Sequence, residues 1–134
     1  MDGHPSRLTL YGTERALMEE LNLEVRTELA GGVAVYRING RLDALTSLNL
    51  ESAVGSAFKG GNSRIILDMG GVTFVSSAGL RVILKAAKQA AAAKGGLAIF
   101  GLQSAVNEVF EISGLPKFVP IASDETDARS KLGA

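Results

Sequence analysis

Residues 65–84 read IILDMGGVTFVSSAGLRVIL, and this stretch decides the fold. Residues 65–67 are apolar at three consecutive positions, which indicates a strand covered on both faces, as in a parallel sheet. Apolar residues recur at helical spacing from Leu80 onward, and Ser76 or Ser77 stands at the predicted start of that helix. The stretch therefore predicts a strand–helix unit of an α/β protein.

A hairpin and an amphipathic helix precede this unit. Residues 23–29 alternate apolar with charged side chains, which is typical of a half-buried strand. Residues 33–38 form its predicted hairpin partner after the turn at 30–32, and Asn39-Gly40 is expected to end it. A helix from about residue 46 to residue 59 follows, because its apolar residues fall on a single stripe.

The chain after the decisive stretch predicts two more helices and two short strands. Gly95-Gly96 is expected to end the long helix, and residues 97–100 form an apolar strand. Ser104 is predicted to cap the next helix, and residues 118–121 to add an edge strand that tolerates Pro120. A last helix opens at residues 123–125, giving the order β-β-α-β-α-β-α-β-α: an α/β fold with helices packed on a mixed sheet.

Composition excludes several classes of function. Lysine and arginine number 14 and aspartate and glutamate number 14, so no excess of cations favours nucleic-acid binding. Cysteine is absent, which excludes thiol catalysis and Cys-based zinc sites. His4 is the single histidine, so a His-based triad or metal cluster is not expected. We predict no catalytic residue, no cofactor and no metal.

The N-terminal residues differ from the rest of the chain. We predict that residues 1–22 form an extension, mobile or with a short helix from Thr13 to Leu21, and that residues 23–134 form the domain. No apolar run reaches the roughly 20 residues that cross a bilayer, so membrane insertion is not expected. Residues 1–12 lack the apolar core of a signal peptide, and the expected location is the cytoplasm.

The two serines at the predicted helix start allow two interpretations. Serine oxygens accept hydrogen bonds from the unpaired N–H groups of a first helical turn, so Ser76 and Ser77 are good capping residues. The same position attracts anions, because N–H donors and the positive end of the helix dipole meet there. Plain capping and a phosphate site both remain open from the residues alone.

Five segments in the right order resemble the STAS domain family, and most closely its bacterial anti-sigma factor antagonists. The resemblance extends from about residue 23 to residue 132. It is carried by the following segments: Ile-Ile-Leu-Asp and Val-Thr-Phe-Val-Ser-Ser-Ala-Gly-Leu-Arg-Val-Ile-Leu around Ser76, Gly40-Arg41-Leu42-Asp43-Ala44, Glu111-Ile-Ser-Gly-Leu-Pro-Lys-Phe118, and Asp124-Glu125.

This resemblance implies a binding switch and not an enzyme. Such antagonists bind an anti-sigma factor that is also a serine kinase, so that the sigma factor is released. The kinase phosphorylates a hydroxyl at the helix N-terminus, and a phosphatase of the PP2C type reverses the modification. Because the first and second helices start at neighbouring strand ends, we expect one partner-binding surface. Its expected residues are Asp43, Thr46, Ser76, Ser77, Gly79 and Arg81.

One position departs from the family pattern. Well-known members have Asp-Ser-Ser-Gly-Leu or Asp-Ser-Thr-Gly-Leu, with the acceptor hydroxyl directly before glycine. Here Ala78 stands at the acceptor position and Ser76 replaces the aspartate. We predict phosphorylation at Ser77, with Ser76 as the alternative acceptor, and a chain that binds without this switch as the third outcome.

Two other functions were weighed: a different binding role on the same fold, and an enzyme. STAS-like chains also resemble subunits of membrane lipid-transport complexes and scaffold layers of stress-signalling assemblies, which bind without a phospho-switch. An enzyme would need Asp43 and Asp68 to act as an acid–base pair, but capping for Asp43 and a strand end for Asp68 are the simpler expectations. Gly70-Gly71 lacks the lysine and spacing of a phosphate-binding loop.

Two surface features complete the expectations. Arg81, Lys85 and Lys88 share one side of the second helix, which is typical of a solvated face and also suits an acidic partner. The zero net charge and a predicted exposed edge strand are compatible with a homodimer.

Overall fold

A computed structural model describes residues 23–134, which form one five-stranded sheet with the strand order β1-β2-β3-β4-β5. The pair β1 and β2 is antiparallel, and all other neighbours are parallel. The predicted mixed α/β fold is confirmed. The elements are β1 (Leu23–Ala30), β2 (Val33–Leu42), α1 (Ser47–Lys59), β3 (Arg64–Val75), α2 (Ser77–Ala92), β4 (Gly96–Phe100), α3 (Ser104–Ser113), a 3-10 turn (Leu115–Lys117), β5 (Ile121–Ala122) and α4 (Glu125–Lys131). The predictions for residues 1–22 lie outside the described residues.

Helices cover both faces of the sheet, as the apolar run in β3 predicts. Ile65 and Leu67 belong to a large core shared with α1, α2 and α3. Ile66, between them, belongs to a smaller core that includes Ala128 of α4. Because successive side chains of a strand alternate between faces, three consecutive buried residues require cover on both sides.

β3 is longer than predicted, and this corrects two assignments. The strand does not end at Asp68 but continues through Gly70 and Gly71 to Val75, so no loop follows Asp68. Two register shifts against β2 add residues to β3, which keeps the pairing while the strand lengthens. A side chain at Gly71 would collide with the Asn39 side chain, so glycine allows the two strands to approach here.

Two further boundaries differ from the predictions. β2 does not end at Asn39-Gly40 but passes through Gly40, whose φ of 115° is readily adopted only by glycine, to Leu42. The last strand is not residues 118–121: it is the pair Ile121–Ala122, and the preceding 3-10 turn leaves Phe118 exposed.

Burial corrects the predicted apolar faces. Thr27 and Leu29 of β1 are exposed, since the described helices leave this end of the strand uncovered. Of the predicted stripe on α2, Ile83 is fully buried, while Leu80, Leu84 and Ala87 are half-buried. The centre of the buried face is instead formed by smaller residues: Gly79, Ala86 and Ala90 beside Ile83. Ser104 begins α3 and Gln103 precedes it, so the predicted Ser104 cap is also wrong.

Candidate functional site

The ends of β2 and β3 bring two separate loops together at one edge of the sheet. Leu42 pairs with Val75 in parallel register, and the backbone N–H of Ser76 donates to the Leu42 carbonyl at 2.8 Å. Asp43 follows Leu42 directly and Ser76 opens the path into α2. The structure therefore places the Asp43 loop beside the N-terminus of α2, as expected from the strand order.

The loop from Asp43 to Thr46 is held by its own polar groups. The Asp43 carboxylate accepts hydrogen bonds from the backbone N–H groups of Leu45 at 3.1 Å and Thr46 at 2.9 Å. The Thr46 hydroxyl donates to the Arg41 carbonyl at 2.6 Å and accepts from the Asp43 N–H at 2.9 Å. Thr46 is only 1% exposed, so its hydroxyl shapes the loop from inside and does not face a partner.

These hydrogen bonds lower the pKa of the Asp43 carboxyl. The N–H of Thr46 lowers the pKa of the Asp43 carboxyl most, and the Thr46 hydroxyl, the Leu45 N–H and the nearby Arg41 cation lower it further against a smaller opposing effect of burial. Asp43 does not cap α1 in the predicted way: Thr46 is the residue before the helix and makes no side-chain cap. The carboxylate instead closes the turn that leads into α1 and remains a negative charge at this edge.

Ser76 and Ser77 have different environments at the start of α2. Ser76 is extended, with φ −88° and ψ 173°, and its hydroxyl oxygen accepts from the N–H of Gly79 at 3.3 Å. Ser76 is therefore the capping residue, as the sequence predicts. Ser77 is the first helical residue and is exposed. Of the two hydroxyls, that of Ser77 is the one presented to solvent.

Gly79 is buried and allows α2 to start close to β2. A side-chain carbon at this position would lie 3.0 Å from the Leu42 carbonyl oxygen and 3.1 Å from a Val75 methyl group. Both distances are tighter than ordinary van der Waals contact, so a larger residue would push the helix start away from the strand ends. Gly79 thus fixes the position of Ser76 and Ser77 and has no surface of its own to offer.

Exposed apolar side chains lie at the ends of β2 and β3 and at the start of α1, and the sequence analysis did not identify them. Leu45 is 58% exposed, Leu48 is 56% exposed and Phe74 is 38% exposed. The Arg41 guanidinium lies 4.2 Å from the centre of the Phe74 ring, in a cation–π contact. The sequence did contain a sign that the two leucines are exposed, because Leu45 and Leu48 fall outside the apolar stripe of α1. We call the group the strand-end surface, and it consists of Arg41, Asp43, Leu45, Leu48, Phe74, Ser76 and Ser77.

Arg81 lies on the exposed outer side of α2, close to the strand-end surface. It is one helical turn beyond Ser77, so the two residues share a side of the helix. Lys85 continues the same basic side and pairs with Glu51 of α1 at 2.8 Å, which ties the two helices together. Arg81 therefore extends the strand-end surface with a positive charge, while Lys85 is partly neutralised by its own chain.

Asp68 is bound elsewhere and does not join Asp43. Its carboxylate accepts from Arg37 at 3.1 Å and from the Gly70 N–H at 3.0 Å, within the middle of β3. The Asp43 carboxylate is held by its own loop at the strand end. The arrangement hence brings no acid–base pair together from these two residues.

Residues 23–134, taken as a whole, have neither of the metal-binding and membrane-spanning features that follow. Among these residues no group of three or more histidine, aspartate or glutamate side chains is arranged to hold a metal ion. None of the helices in the same range has the length and apolar character needed to cross a membrane. The polar and apolar groups at the strand-end surface suit the binding of another protein.

The fold and the strand-end surface define a small α/β binding domain. The chain belongs to the STAS domain family, whose model matches residues 24–128. BtrV of Bordetella bronchiseptica, named as an anti-sigma factor antagonist, is 35% identical over 97 residues, covering 72% of this chain and 84% of BtrV. The anti-sigma F factor antagonist of Paenibacillus polymyxa is 30% identical over 113 residues, covering 84% of this chain and 97% of that protein.

Two solved structures share the fold. The anti-sigma factor antagonist SpoIIAA in its unphosphorylated form gives a TM-score of 0.70 at 23% identity, covering 83% of this chain and 98% of SpoIIAA. SpoIIAA of Bacillus in its phosphorylated form gives a TM-score of 0.63 at the same identity, covering 81% of this chain and 98% of that one. The sheet and helices therefore match those of an antagonist that exists in two phosphorylation states.

Proposed function

We propose that this chain is an anti-sigma factor antagonist that binds an anti-sigma factor of the serine-kinase type through the strand-end surface. The observation that carries the proposal is the exposed Ser77 at the N-terminus of α2, beside the ionised Asp43 loop and its exposed leucines. The names of the two relatives, both antagonists of anti-sigma factors, support the same partner class. The chain acts by binding, in the cytoplasm, and not as an enzyme.

Phosphorylation of Ser77 would change this surface by charge. A phosphate adds about −1.5 to −2 charge and three strong acceptor oxygens. At the first helical position it is stabilised within the chain by free N–H groups and the positive end of the helix dipole. Towards a partner the same phosphate adds to the negative charge of Asp43 and must lose its water beside Leu45 and Leu48. The modified chain therefore folds normally and binds more weakly.

Ser77 is a better acceptor than Ser76 in this arrangement. The Ser76 hydroxyl oxygen is used in the helix cap, and Ser76 is only half-exposed. Ala78, at the position of the usual acceptor, has no hydroxyl. Ser77 is exposed and lies one residue from that position, so its hydroxyl is available to a kinase that binds the strand-end surface. A phosphatase of the PP2C type removes the group again.

The expected binding residues divide into two roles. Asp43, Ser77 and Arg81 offer groups that a partner can contact, together with Leu45 and Leu48. Three residues hold those groups in place: Ser76, by its cap to the Gly79 N–H, and the buried Thr46 and Gly79. This division retains all six predicted residues and changes the part played by three of them.

The deciding experiment uses the full chain as bait. The immobilised chain is incubated with extract of its own organism, with and without ATP, and the captured kinase is then purified. With that kinase and ATP, intact mass is expected to rise by one phosphate, and peptide mapping to locate it on Ser77. The Ser77→Ala chain is the matched control and should bind without modification. A phosphate found only elsewhere, or none, overturns the switch.

A second candidate function rests on Ala78. An acceptor position without a hydroxyl fits a STAS subunit that binds permanently, as in a lipid-transport complex or a stress-signalling scaffold. The same capture experiment separates the two, because a transporter ATPase recovered in place of a kinase supports the permanent role.

A further inference from the structure

The strand β1 forms a long edge of the sheet. Within residues 23–134 it pairs with β2 alone, whereas the opposite edge, β5, has only two residues. β1 has eight residues, and all from Arg26 to Ala30 are exposed. Leu29 is 65% exposed. An edge strand of this length carries a row of backbone donors and acceptors that can pair with another strand.

We propose that β1 pairs antiparallel with β1 of a second copy of this chain, with Thr27 opposite Thr27. The two sheets then join into one continuous sheet of ten strands around a two-fold axis. The proposal concerns a different surface from the strand-end surface and does not depend on the proposed function. Its partner is a second copy because the side chains of β1 are complementary to themselves.

Symmetry restricts the register. Opposed residues in an antiparallel pair point to the same face, so a two-fold axis through the sheet must pass between two copies of one residue. With Thr27 at the centre, each Arg26 lies opposite Glu28 of the other copy. Moving the centre by one residue places Arg26 opposite Arg26, or Glu28 opposite Glu28. Only the Thr27 centre among these three puts opposite charges together.

The same register covers the exposed leucine. Each Leu29 lies opposite Val25 of the second copy, on the face that carries α1. Val25 is half-buried against the large core, so a leucine placed beside it extends that core across the joint. A cross-strand pair of apolar, β-branched and aliphatic residues stabilises a sheet. The register centred on Val25 pairs fewer residues of β1, because it places Leu29 opposite position 21 of the second copy, outside the described strand.

The charges on the other face point to the same register. Arg37 of β2 binds three carboxylates, at 2.8 Å to Glu28, 3.1 Å to Asp68 and 3.0 Å to Glu125. Arg129 also reaches Glu125, at 3.5 Å, and Arg26 of the same chain acts on Glu28, so three cations and three carboxylates share this face.

Within its own chain, Arg26 lies directly opposite Arg37, so two like charges face each other across β1 and β2. In the dimer, Arg26 of the second copy stands opposite Glu28. This contact gives Arg26 a carboxylate directly opposite it in place of the like charge of Arg37 alone, and the two-fold axis repeats the contact.

Charge exchange tests the register. The full chain is expected to sediment as a dimer, and Arg26→Glu alone or Glu28→Arg alone to weaken dimerisation about tenfold or more, because each places like charges opposite. Mixing the two variants sets a glutamate against an arginine at both cross-strand contacts, and should restore a mixed dimer near the original affinity. Circular dichroism and a thermal scan check that each variant folds. Equal dimer affinities in all samples overturn the register.

Cysteine cross-linking gives a second measurement, since the chain contains no cysteine. In Thr27→Cys the two Cα atoms lie about 4.5–5.5 Å apart across the axis, within the range for a disulfide. Mild oxidation is expected to link this variant quantitatively. Val25→Cys is the matched control, because its two copies are offset by about four residues along the strands and are out of reach. Cross-linking of both variants, or of neither, contradicts the Thr27 centre.

Two outcomes would remove the proposal altogether. A chain that stays monomeric at all concentrations overturns it. A dimer that is unchanged in Arg26→Glu and not linked by Thr27→Cys places the contact on another surface. Neither result bears on Ser77, whose modification is measured separately by mass.

Discussion

The N–H of Ser76 donates to the carbonyl of Leu42, and this one hydrogen bond of 2.8 Å joins the two halves of the strand-end surface. Leu42 ends β2 and precedes the Asp43 loop, while Ser76 caps α2 and precedes Ser77. The Asp43 loop and the start of α2 therefore lie next to each other.

Charge at Ser77 is expected to control binding. Ser77→Asp places a negative charge at the first position of α2, where the helix dipole tolerates it, so the fold should be unchanged. Binding of the captured anti-sigma factor should weaken at least about tenfold, or about 1.4 kcal/mol, while Ser77→Ala binds like the wild type. Titration calorimetry measures both, and equal affinities for the two variants contradict the assignment of this surface.

The exposed leucine of α1 is expected to contribute to binding and not to stability. Leu48 is 56% exposed, so Leu48→Ala should change the free energy of unfolding by less than about 0.5 kcal/mol. If the partner covers this side chain, binding should lose about 1 kcal/mol or more. Ile112→Ala, at an 88% exposed residue in α3, is the control and should alter neither quantity. Similar binding by both variants would exclude Leu48 from the contact.

Glycine is expected to be required at position 79. Gly79→Ala introduces a carbon 3.0 Å from the Leu42 carbonyl oxygen, and the strain should lower the free energy of unfolding by about 1–3 kcal/mol. Gly55→Ala in α1 is the matched control, since no atom lies within 4 Å of the added carbon. Alanine there should stabilise the helix by about 0.5–1 kcal/mol. Urea denaturation compares the two, and a neutral Gly79→Ala would mean that the helix start can move.

Asp43 is expected to make stability depend on pH in the acid range. Hydrogen bonds in its loop hold the pKa of Asp43 below its usual value. The stability that its carboxylate supplies is present above the unfolded pKa of about 3.9, and is lost as pH falls through the lower folded pKa. Asp43→Asn should thus be less stable than the wild type near neutral pH, with the difference shrinking below about pH 4. Urea midpoints measured across this range check it, and a constant difference would contradict it.

The sequence predicts well those parts of the fold that depend on the pattern of apolar residues and on the order of the elements along the chain. The three apolar residues at 65–67 predict a strand with both faces covered, and the serines predict the start of α2 and its cap. The extension of β3 to Val75 could not be predicted, because two shifts of register against β2 depend on the neighbouring strand. Periodicity within one strand carries no information about such bulges.

The sequence predicts the position of the site and only part of its composition. The neighbouring ends of β2 and β3 follow from the strand order, which brings Asp43 and Ser76 together. Thr46 is expected on the partner-binding surface because the two helices start at neighbouring strand ends, but its hydroxyl turns inward to the Arg41 carbonyl, which the strand order does not reveal. Phe74 was missed for a related reason. Two bulges in β3 turn its side chain outward beside Arg41, and the alternation of apolar and polar residues along a strand does not predict bulges.

The pairing of Leu42 with Val75 has a consequence for the newly made chain. The Asp43 loop and the α2 serines lie far apart in the sequence, so neither segment alone carries both the carboxylate and the serine hydroxyls. Under the proposed function, a chain still emerging from the ribosome, or one cut between α1 and β3, therefore does not present the two loops together. Binding that needs both loops requires that β2 and β3 have paired.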